Sequence, residues 1–189
     1  MDSPESLVGG RYRLKELLGQ GGSAVVHAAL DTQLGRRVAI KRLTAAAREE
    51  EARRFTREAT VLAAIRHPSL LDVYDAGHDG GRPFMVARLL EGRSLAERLE
   101  DSSLEPELAL AWSLSVLGAL AVAHRRGVLH RDVKPSNIFL ELGCDRIERP
   151  VLIDFGIAKR VESEQTTQSG VTWGTPAYMA PEVLRHEPA

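Results

Sequence analysis

The most informative stretch of this sequence is His130-Arg131-Asp132-Val133-Lys134-Pro135-Ser136-Asn137. It lies between a predicted helix, Glu105 to Arg126, and a short predicted strand, Ile138 to Glu141. The loop therefore carries a carboxylate, an ammonium group and an amide between two regular elements. On an ordinary loop these would be solvated surface side chains, so their meaning depends on the rest of the chain.

The residues before position 90 alternate as β-strands do. The predicted strands are Tyr12–Leu18, Ala24–Leu30, Arg37–Leu43, Leu70–Ala76 and Pro83–Leu90. Turn residues separate them, at Gly19-Gln20-Gly21-Gly22, at Asp31–Gly35 and at Gly77–Gly81. The pattern predicts an antiparallel, five-stranded sheet.

Lys41 occupies an unusual place in the third of these strands. Alternation puts Val38 and Ile40 on one face and Ala39, Lys41 and Leu43 on the other. A lysine among small and apolar residues needs an acidic partner or an anionic ligand, because an unpaired buried charge is costly.

A helix over Ala45–Arg66 contains a carboxylate that suits Lys41. Its apolar stripe consists of Phe55, Ala59 and Leu62, and Glu58 falls on the same stripe. We therefore predict that Glu58 pairs with Lys41. The alternative is a glutamate at the edge of a solvated helix face.

The pattern changes from strands to helices at Glu91-Gly92-Arg93, which is predicted to be a hinge or linker. A strand-rich first half and a helix-rich second half predict an α+β protein with two lobes. The predicted divisions are a tail over 1–11, a first lobe over 12–90 and a second lobe over 91–189. Within the second lobe, the uncharged run Leu108–Ala123 is shorter than the roughly 18 residues that span a bilayer, and it predicts a buried core helix.

Charge and cysteine content exclude several classes of protein. The 189 residues include 25 Lys and Arg against 26 Asp and Glu, for a net charge of -1. This balance argues against nucleic-acid binding and against contact of this segment with a membrane surface. Cys144 is the only cysteine, and the acidic N-terminus lacks the features of a secretory signal, so a reducing, cytoplasmic location is expected.

The glycine-rich turn is a weak signal by itself. Glycines let backbone N–H groups approach a polyphosphate, but a plain hairpin turn has the same residues. A dinucleotide-binding motif requires a helix after the glycines, whereas Val25 and Val26 favour a strand.

Four further motifs make the pattern specific. They are Val38-Ala39-Ile40-Lys41, the stretch His130–Asn137, Asp154-Phe155-Gly156 and Ala180-Pro181-Glu182. In this order and spacing, from about Tyr12 to Glu182, the chain resembles a eukaryotic-type (Hanks-type) serine/threonine protein kinase domain of the bacterial kind. The resemblance implies a bilobal fold, a first lobe with one helix and a helical second lobe.

The resemblance also implies roles for individual residues. Asp132 corresponds to the catalytic base, Asn137 and Asp154 to ligands of Mg²⁺ or alternatively Mn²⁺, and Lys134 to a contact of the transferred phosphate. The implied catalytic set is Lys41, Glu58, Asp132, Lys134, Asn137 and Thr175. Lys134 and the pair Gly174-Thr175 follow the serine/threonine rather than the tyrosine pattern.

ATP is the implied cofactor. Its phosphates would lie under Leu18, Gly19, Gln20, Gly21, Gly22, Ser23 and Ala24, with Lys41 on the α- and β-phosphates. Its adenine would contact Val26, Ala39, Ala87, Phe139 and the backbone of Arg88 and Leu90. Ala87 and Arg88 depart from the larger and acidic residues common at those places.

The polar segment Glu162–Gly170 resembles an activation loop. Thr167 and Ser169 are the predicted phosphorylation sites, with Thr166 and Thr172 as neighbours, and a phosphate there could bind Arg131. The alternative is an unmodified, solvated loop.

The expected activity is transfer of the ATP γ-phosphate to Ser or Thr hydroxyls of proteins in signal transduction, including the chain itself. The sequence stops soon after Glu182, so a truncated kinase domain is expected, whose parent can be membrane-anchored. The alternatives are a pseudokinase-like module that binds nucleotide or a partner without turnover, and a small-molecule phosphotransferase. Homodimers formed through the first lobe are common in this group.

Overall fold

The computed structural model describes residues 7–22, 24–155, 176–179 and 181, without the side chains of Glu58 and Pro176. The chain divides into two compact units, Met1–Glu91 and Gly92–Ala189. Each unit has its own sheet, and each is described separately below.

The sheet of the first unit has six strands, in the order β1-β2-β3-β4-β6-β5. They are β1 (Leu7–Val8), β2 (Tyr12–Gln20), β3 (Ala24–Asp31), β4 (Arg36–Leu43), β5 (Val73–Asp79) and β6 (Arg82–Arg88). All pairs of neighbours are antiparallel. The predicted antiparallel arrangement is confirmed, and the predicted number of five strands is wrong.

The additional strand, β1, lies in the segment predicted as a tail. Leu7 pairs with Arg13, and Val8 pairs with Tyr12. Gly9 and Gly10 form the turn with φ angles of 57° and 66°, a left-handed conformation that suits glycine. Val8 is buried, so the hydrophobic core rather than strand propensity holds this short strand in place.

One face of the sheet buries an apolar cluster around Phe84. Val38 and Ile40 belong to it, as the alternation predicts, together with Val8 and Tyr12. A Cβ at Gly9 or at Gly77 would lie only 2.8 or 2.9 Å from Cζ of Phe84. The two glycines therefore make room for the aromatic ring.

An ion pair anchors the start of β2 to the end of β3. Arg11 donates from Nε and Nη2 to the two carboxylate oxygens of Asp31, over 2.8 and 2.7 Å. The hydrogen bonds from Arg11 lower the pKa of Asp31 to about 2. Next to this pair, Tyr12 donates to Asp75 over 2.6 Å, and burial together with this bond raises the pKa of Tyr12.

The helix of the first unit, α1 (Glu49–Ala63), is shorter than the predicted Ala45–Arg66. Its start is set by a carboxylate cap, because Glu51 accepts a hydrogen bond from the backbone N–H of Arg48 over 2.9 Å. The predicted apolar stripe is confirmed: Phe55, Ala59 and Leu62 are all buried.

The hairpin between β5 and β6 is tighter than predicted. Asp79 pairs directly with Arg82, and β5 continues through Gly77. Gly80 and Gly81 occupy the turn with φ angles of 54° and 77°. Two successive positive φ angles give a turn whose twist matches that of the paired strands.

The second unit has a sheet of three strands in the order β7-β8-β9, and two α-helices within its described residues. The elements are β7 (Gly92–Ser94), α2 (Leu95–Asp101), α3 (Pro106–Arg125), β8 (Ile138–Leu142) and β9 (Glu148–Leu152). Gly92 and Arg93, predicted as part of a hinge, pair with Glu141 and Leu140 instead.

The helix α3 buries only one of its faces, so the prediction of a buried core helix is half correct. Trp112, Val116, Ala119 and Ala123 are buried, whereas Leu110, Leu114 and Leu117 are about 60% exposed. This helix is long and apolar enough to cross a membrane by length and composition alone, a test that core helices also pass.

Candidate functional site

The loop after α3 holds the carboxylate of Asp132 between an amide and an ammonium group. Nδ2 of Asn137 donates to Oδ2 of Asp132 over 2.7 Å and to the backbone oxygen of Asp132 over 2.7 Å. Nζ of Lys134 lies 3.3 Å from the same Oδ2. The structure therefore brings three of the predicted catalytic residues into direct contact.

A single 3₁₀ turn, Pro135–Asn137, makes this contact possible. Pro135 starts the turn, where a missing N–H costs nothing, and Asn137 ends it against β8. Asn137 is buried, and both of its bonds to Asp132 use Nδ2. Its other side-chain atom, the oxygen Oδ1, is the one that can ligate a cation.

His130 fixes the start of the loop that contains Asp132. Its ring is buried, Nε2 lies 2.8 Å from the backbone oxygen of Ile153, and Nδ1 accepts the backbone N–H of Asp132 over 3.3 Å. These partners place the ring proton on Nε2. The ring also packs on Phe155, with 4.5 Å between the ring centroids.

The role of His130 is not evident from the sequence, although the motif contains this residue. A histidine two residues before a carboxylate is a weak signal, and the paired Phe155 is distant in sequence. The structure shows that it joins the loop of Asp132 to the segment that contains Asp154.

The pairing of β8 with β9 brings the backbone next to Asp154 close to Asn137. Ile138 pairs with Leu152, and the backbone N–H of Ile153 donates to the backbone oxygen of Asn137 over 2.9 Å. Asp154, the next residue after Ile153, is exposed. Asn137 directly precedes β8, and Asp154 comes shortly after the end of β9. The pairing of these two strands therefore brings the segments of both predicted metal ligands together.

Two residues of this region have a backbone that side chains rarely adopt. Arg131 has a φ angle of 61° and Asp154 has a φ angle of 51°. Such conformations cost about 1–3 kcal/mol each and persist where the surrounding structure determines them. Here the side chain of His130 contacts the backbone of Asp132 and of Ile153, which are the chain neighbours of Arg131 and Asp154.

The first unit presents its predicted nucleotide residues on one face of the sheet. Val26 pairs with Lys41, and Ala39 pairs with Ala87. Directly opposed residues share a face, so these four side chains lie on the side opposite to Val38 and Ile40. Phe139 is also predicted to contact adenine through its side chain. It belongs to β8 in the second unit.

The glycine-rich turn connects two strands. Gly19 and Gln20 end β2 and pair with Val26 and Val25, and the N–H of Gly21 donates to the oxygen of Ala24 over 2.8 Å. A strand rather than a helix follows, as the sequence predicts, and the dinucleotide-binding alternative is wrong. Leu18, at the edge of the turn, is about half exposed.

Arg88 is the last residue of β6, and Leu90 lies just beyond the end of this strand. The backbone N–H of Arg88 donates to the oxygen of Asp72 over 2.9 Å, and its Nε lies 3.5 Å from the carboxylate of Asp72. The unusual arginine at this position therefore has an acidic neighbour in its own unit.

Several predicted residues lie outside the described part of the chain. They are Ser23, Thr166, Thr167, Ser169, Thr172, Thr175 and the side chain of Glu58. The predicted pairing of Lys41 with Glu58 and the predicted phosphorylation sites stay predictions.

Comparison with known proteins decides the family. The protein kinase domain profile matches residues 12–189. The chain belongs to the protein kinase family. The family prediction and the α+β kinase fold are thereby confirmed, with six instead of five strands in the first sheet.

The chain is similar to bacterial kinases and to solved kinase structures. Serine/threonine-protein kinase PknL of Mycobacterium bovis is 40% identical over 183 residues, which are 95% of this chain and 45% of PknL. The PknI kinase domain of Mycobacterium tuberculosis has a TM-score of 0.78 at 29% identity, covering 100% of this chain and 71% of that one. Rad53 (1-466) in complex with AMP-PNP has a TM-score of 0.74 at 26% identity, covering 94% of this chain and 43% of that one.

The chain spans less than half the length of PknL.

Proposed function

We propose that this chain carries the catalytic residues of a serine/threonine protein kinase, which transfers the γ-phosphate of ATP to protein hydroxyls. The observation that carries the proposal is the contact of Asp132 with Asn137 and Lys134, at 2.7 and 3.3 Å. The names of PknL and of the other kinase relatives support the reaction class. The AMP-PNP complex of Rad53 supports ATP as the nucleotide.

Asp132 is the proposed base. It orients the substrate hydroxyl and accepts its proton as the new bond to phosphorus forms. Its Oδ2 accepts the amide of Asn137 and faces Lys134, and these two partners hold the carboxylate in place. His130 acts as a positioning residue, because its Nδ1 holds the backbone N–H of Asp132.

Lys134 has a second proposed role. Its ammonium lies beside the base, where the transferred phosphoryl group must pass during in-line attack. A positive charge at this place stabilises the negative charge that develops on the phosphoryl oxygens.

Asn137 and Asp154 fit a hard divalent cation. The oxygen of an amide and a carboxylate suit Mg²⁺, with Mn²⁺ as the alternative, and Mg²⁺ uses few protein ligands when phosphates supply others. When bound, the cation neutralises the charge of the phosphates. Within the described residues no group of three or more His, Cys, Asp or Glu side chains forms a separate metal site.

The first unit is proposed to hold the nucleotide. Val26, Ala39 and Ala87 supply an apolar surface for adenine, and Lys41 on the same face supplies a cation for the α- and β-phosphates. Thr175 and the pairing of Lys41 with Glu58 complete the proposed catalytic set.

Regulation is proposed to occur by autophosphorylation. The sites proposed are Thr167 and Ser169, with Thr166 and Thr172 as further acceptors. Mass spectrometry after incubation with ATP and Mg²⁺ tests this, and the absence of phosphate between Glu162 and Thr175 would contradict it. The segment is further proposed to act in the cytoplasm on protein substrates and to pair with a second copy through its first unit, which size-exclusion chromatography tests.

The decisive experiment measures transfer of labelled γ-phosphate to the chain itself and to a generic basic protein. We expect Asp132→Asn to reduce the transfer rate by roughly 10²- to 10⁴-fold, the usual contribution of a positioned base. Asp145→Asn is the matched control, because Asp145 is an exposed aspartate in the turn between β8 and β9. Nucleotide affinity of both variants should equal that of the wild type.

Two outcomes would contradict the proposal. If the wild type binds ATP but transfers no phosphate, the chain is a binding module without turnover. If Asp132→Asn retains full activity, another residue is the base.

A further inference from the structure

Four charged side chains join the helix α2 to both outer strands of the second sheet. Arg93 belongs to β7, Arg98 and Asp101 belong to α2, and Glu148 belongs to β9. Nε of Arg93 donates to Oε1 of Glu148 over 3.4 Å, and Nε of Arg98 lies 3.8 Å from Oε2 of the same carboxylate. Arg93 also donates to the carboxylate of Asp101. Two positive and two negative charges therefore form one balanced network.

Glu148 is the centre of this network, because its carboxylate is the group that both arginines share. It is the first residue of β9, and the middle strand β8 separates it from β7 in the sheet. Glu148 therefore ties the helix to the sheet across the strand that begins directly after Asn137. The side chains of Arg98 and Glu148 are 20% and 27% exposed, so solvent screens their contact less than it screens a pair on the open surface.

The helix that Glu148 holds packs against the candidate site. α2 contacts the 3₁₀ turn Pro135–Asn137 and the strand β8. The same turn carries the amide of Asn137, which donates twice to Asp132. None of the side chains of α2 is buried, so apolar packing holds this helix only weakly. The charge network then contributes a large share of what keeps α2 on the turn.

We propose that Glu148 is a positioning residue of the candidate site: it keeps α2 on the turn and thereby keeps the amide of Asn137 on Asp132. It acts through the helix and the turn rather than by contact with the reacting atoms. Loss of its charge releases Arg93 and Arg98, and the two hydrogen bonds from Asn137 to Asp132 weaken as the turn loses its support. The kinetic consequence rests on the proposed phosphate transfer, whereas the state of the Asn137 amide does not.

The sequence supplies a probe of this link. Asn137 is the only asparagine among the 189 residues, so incorporation of isotope-labelled asparagine gives the NMR signals of a single side-chain amide. Glu148→Gln keeps the size of the side chain and removes its charge. We expect this variant to shift the signals of the Asn137 amide towards those of a solvated amide, because its hydrogen bonds to Asp132 lengthen. Arg98→Gln should shift the same signals in the same direction.

Asp145→Asn is the matched control. It removes one carboxylate charge from the turn between β8 and β9, near Glu148 in the sequence, but its partner is Arg149 of the same hairpin. The amide signals of Asn137 should keep their wild-type positions in this variant. Wild-type positions in Glu148→Gln, or an equal shift in Asp145→Asn, would overturn the proposal.

Kinetics give a second readout. We expect Glu148→Gln to lower kcat roughly three- to tenfold with an unchanged KM for ATP, because displacement of a positioned group slows the chemical step without weakening nucleotide binding. Arg98→Gln breaks the same link from the helix side, so the double variant should lose less activity than the product of the two separate losses. A lower melting temperature with an unchanged kcat would indicate a merely structural role and would overturn the proposal, as would fully multiplicative losses.

Failure of the proposed function is distinguishable from failure of this inference. A wild-type chain that transfers no phosphate contradicts the kinase proposal, and the amide signals of Asn137 then decide the role of Glu148 by themselves.

Discussion

The ion pair between Arg11 and Asp31 offers a quantitative test of what holds the first unit together. The carboxylate of Asp31 is 1% exposed and accepts two hydrogen bonds from Arg11. It also accepts the backbone N–H groups of Gln33 and Leu34, over 3.1 and 3.3 Å. The substitution Asp31→Asn keeps the shape and one oxygen acceptor but removes the charge.

The size of the effect follows from the pKa of Asp31. This pKa is lowered from 3.8 to about 2 by the hydrogen bonds of Arg11. The difference corresponds to about 2 kcal/mol of folding free energy at neutral pH. For a chain of this size, that loss lowers the melting temperature by about 4–8 °C.

The pH dependence has a definite sign. Because the folded chain binds this proton less readily than the unfolded chain, the stabilisation is complete well above pH 3.8 and is lost as the pH falls towards 2. The difference in unfolding free energy between the wild type and Asp31→Asn should therefore be constant near pH 7 and narrow below about pH 4.

Calorimetric or urea unfolding at a series of pH values measures this difference. The control is Asp145→Asn, because Asp145 pairs with Arg149 on the surface and is 44% exposed. Its loss should change the unfolding free energy far less than the loss of Asp31 does, because solvent screens an exposed ion pair. An Asp31→Asn protein as stable as the wild type at pH 7, or a difference that does not change below pH 4, would refute the reasoning.

Three further predictions concern the second unit and the turns. Asn137→Ala removes both bonds to Asp132 together with a proposed metal ligand, so phosphate transfer should fall at least about 100-fold in kinetic assays, and an unchanged rate would contradict the proposed role. His130→Phe keeps an aromatic ring against Phe155 but loses the bonds to Ile153 and Asp132, so kcat should fall about tenfold with little change in the KM for ATP; an unchanged kcat would contradict a positioning role. Gly92→Ala should unfold several degrees lower than Gly10→Ala, since its Cβ would lie 2.0 Å from the oxygen of Leu140 whereas Gly10 has open space, and equal melting temperatures would contradict this.

Local patterns predicted most of the elements of the first unit. Alternation identified β2, β3 and β4, because a half-buried strand must place apolar residues at every second position. The same argument placed Val38 and Ile40 in the core. It missed β1, because a strand of two residues, Leu7–Val8, has no period to detect.

Prediction was weaker where a boundary depends on contacts. The start of α1 at Glu49 depends on the cap from Glu51, and alanines at 45–47 extend the helical pattern beyond it. The sequence of α3 does not indicate which of its faces is covered, because apolar residues surround this helix on all sides.

The sequence by itself determined the family and the chemical types at the candidate site, because an ordered set of motifs is a property of the chain alone. The tertiary structure decided which of these groups touch. The 3₁₀ turn at Pro135–Asn137 brings the amide of Asn137 onto Asp132, and the buried ring of His130 joins that loop to Ile153. Strand pairing has the same effect in the first unit, because it places Ala39 opposite Ala87, which is far away in the sequence.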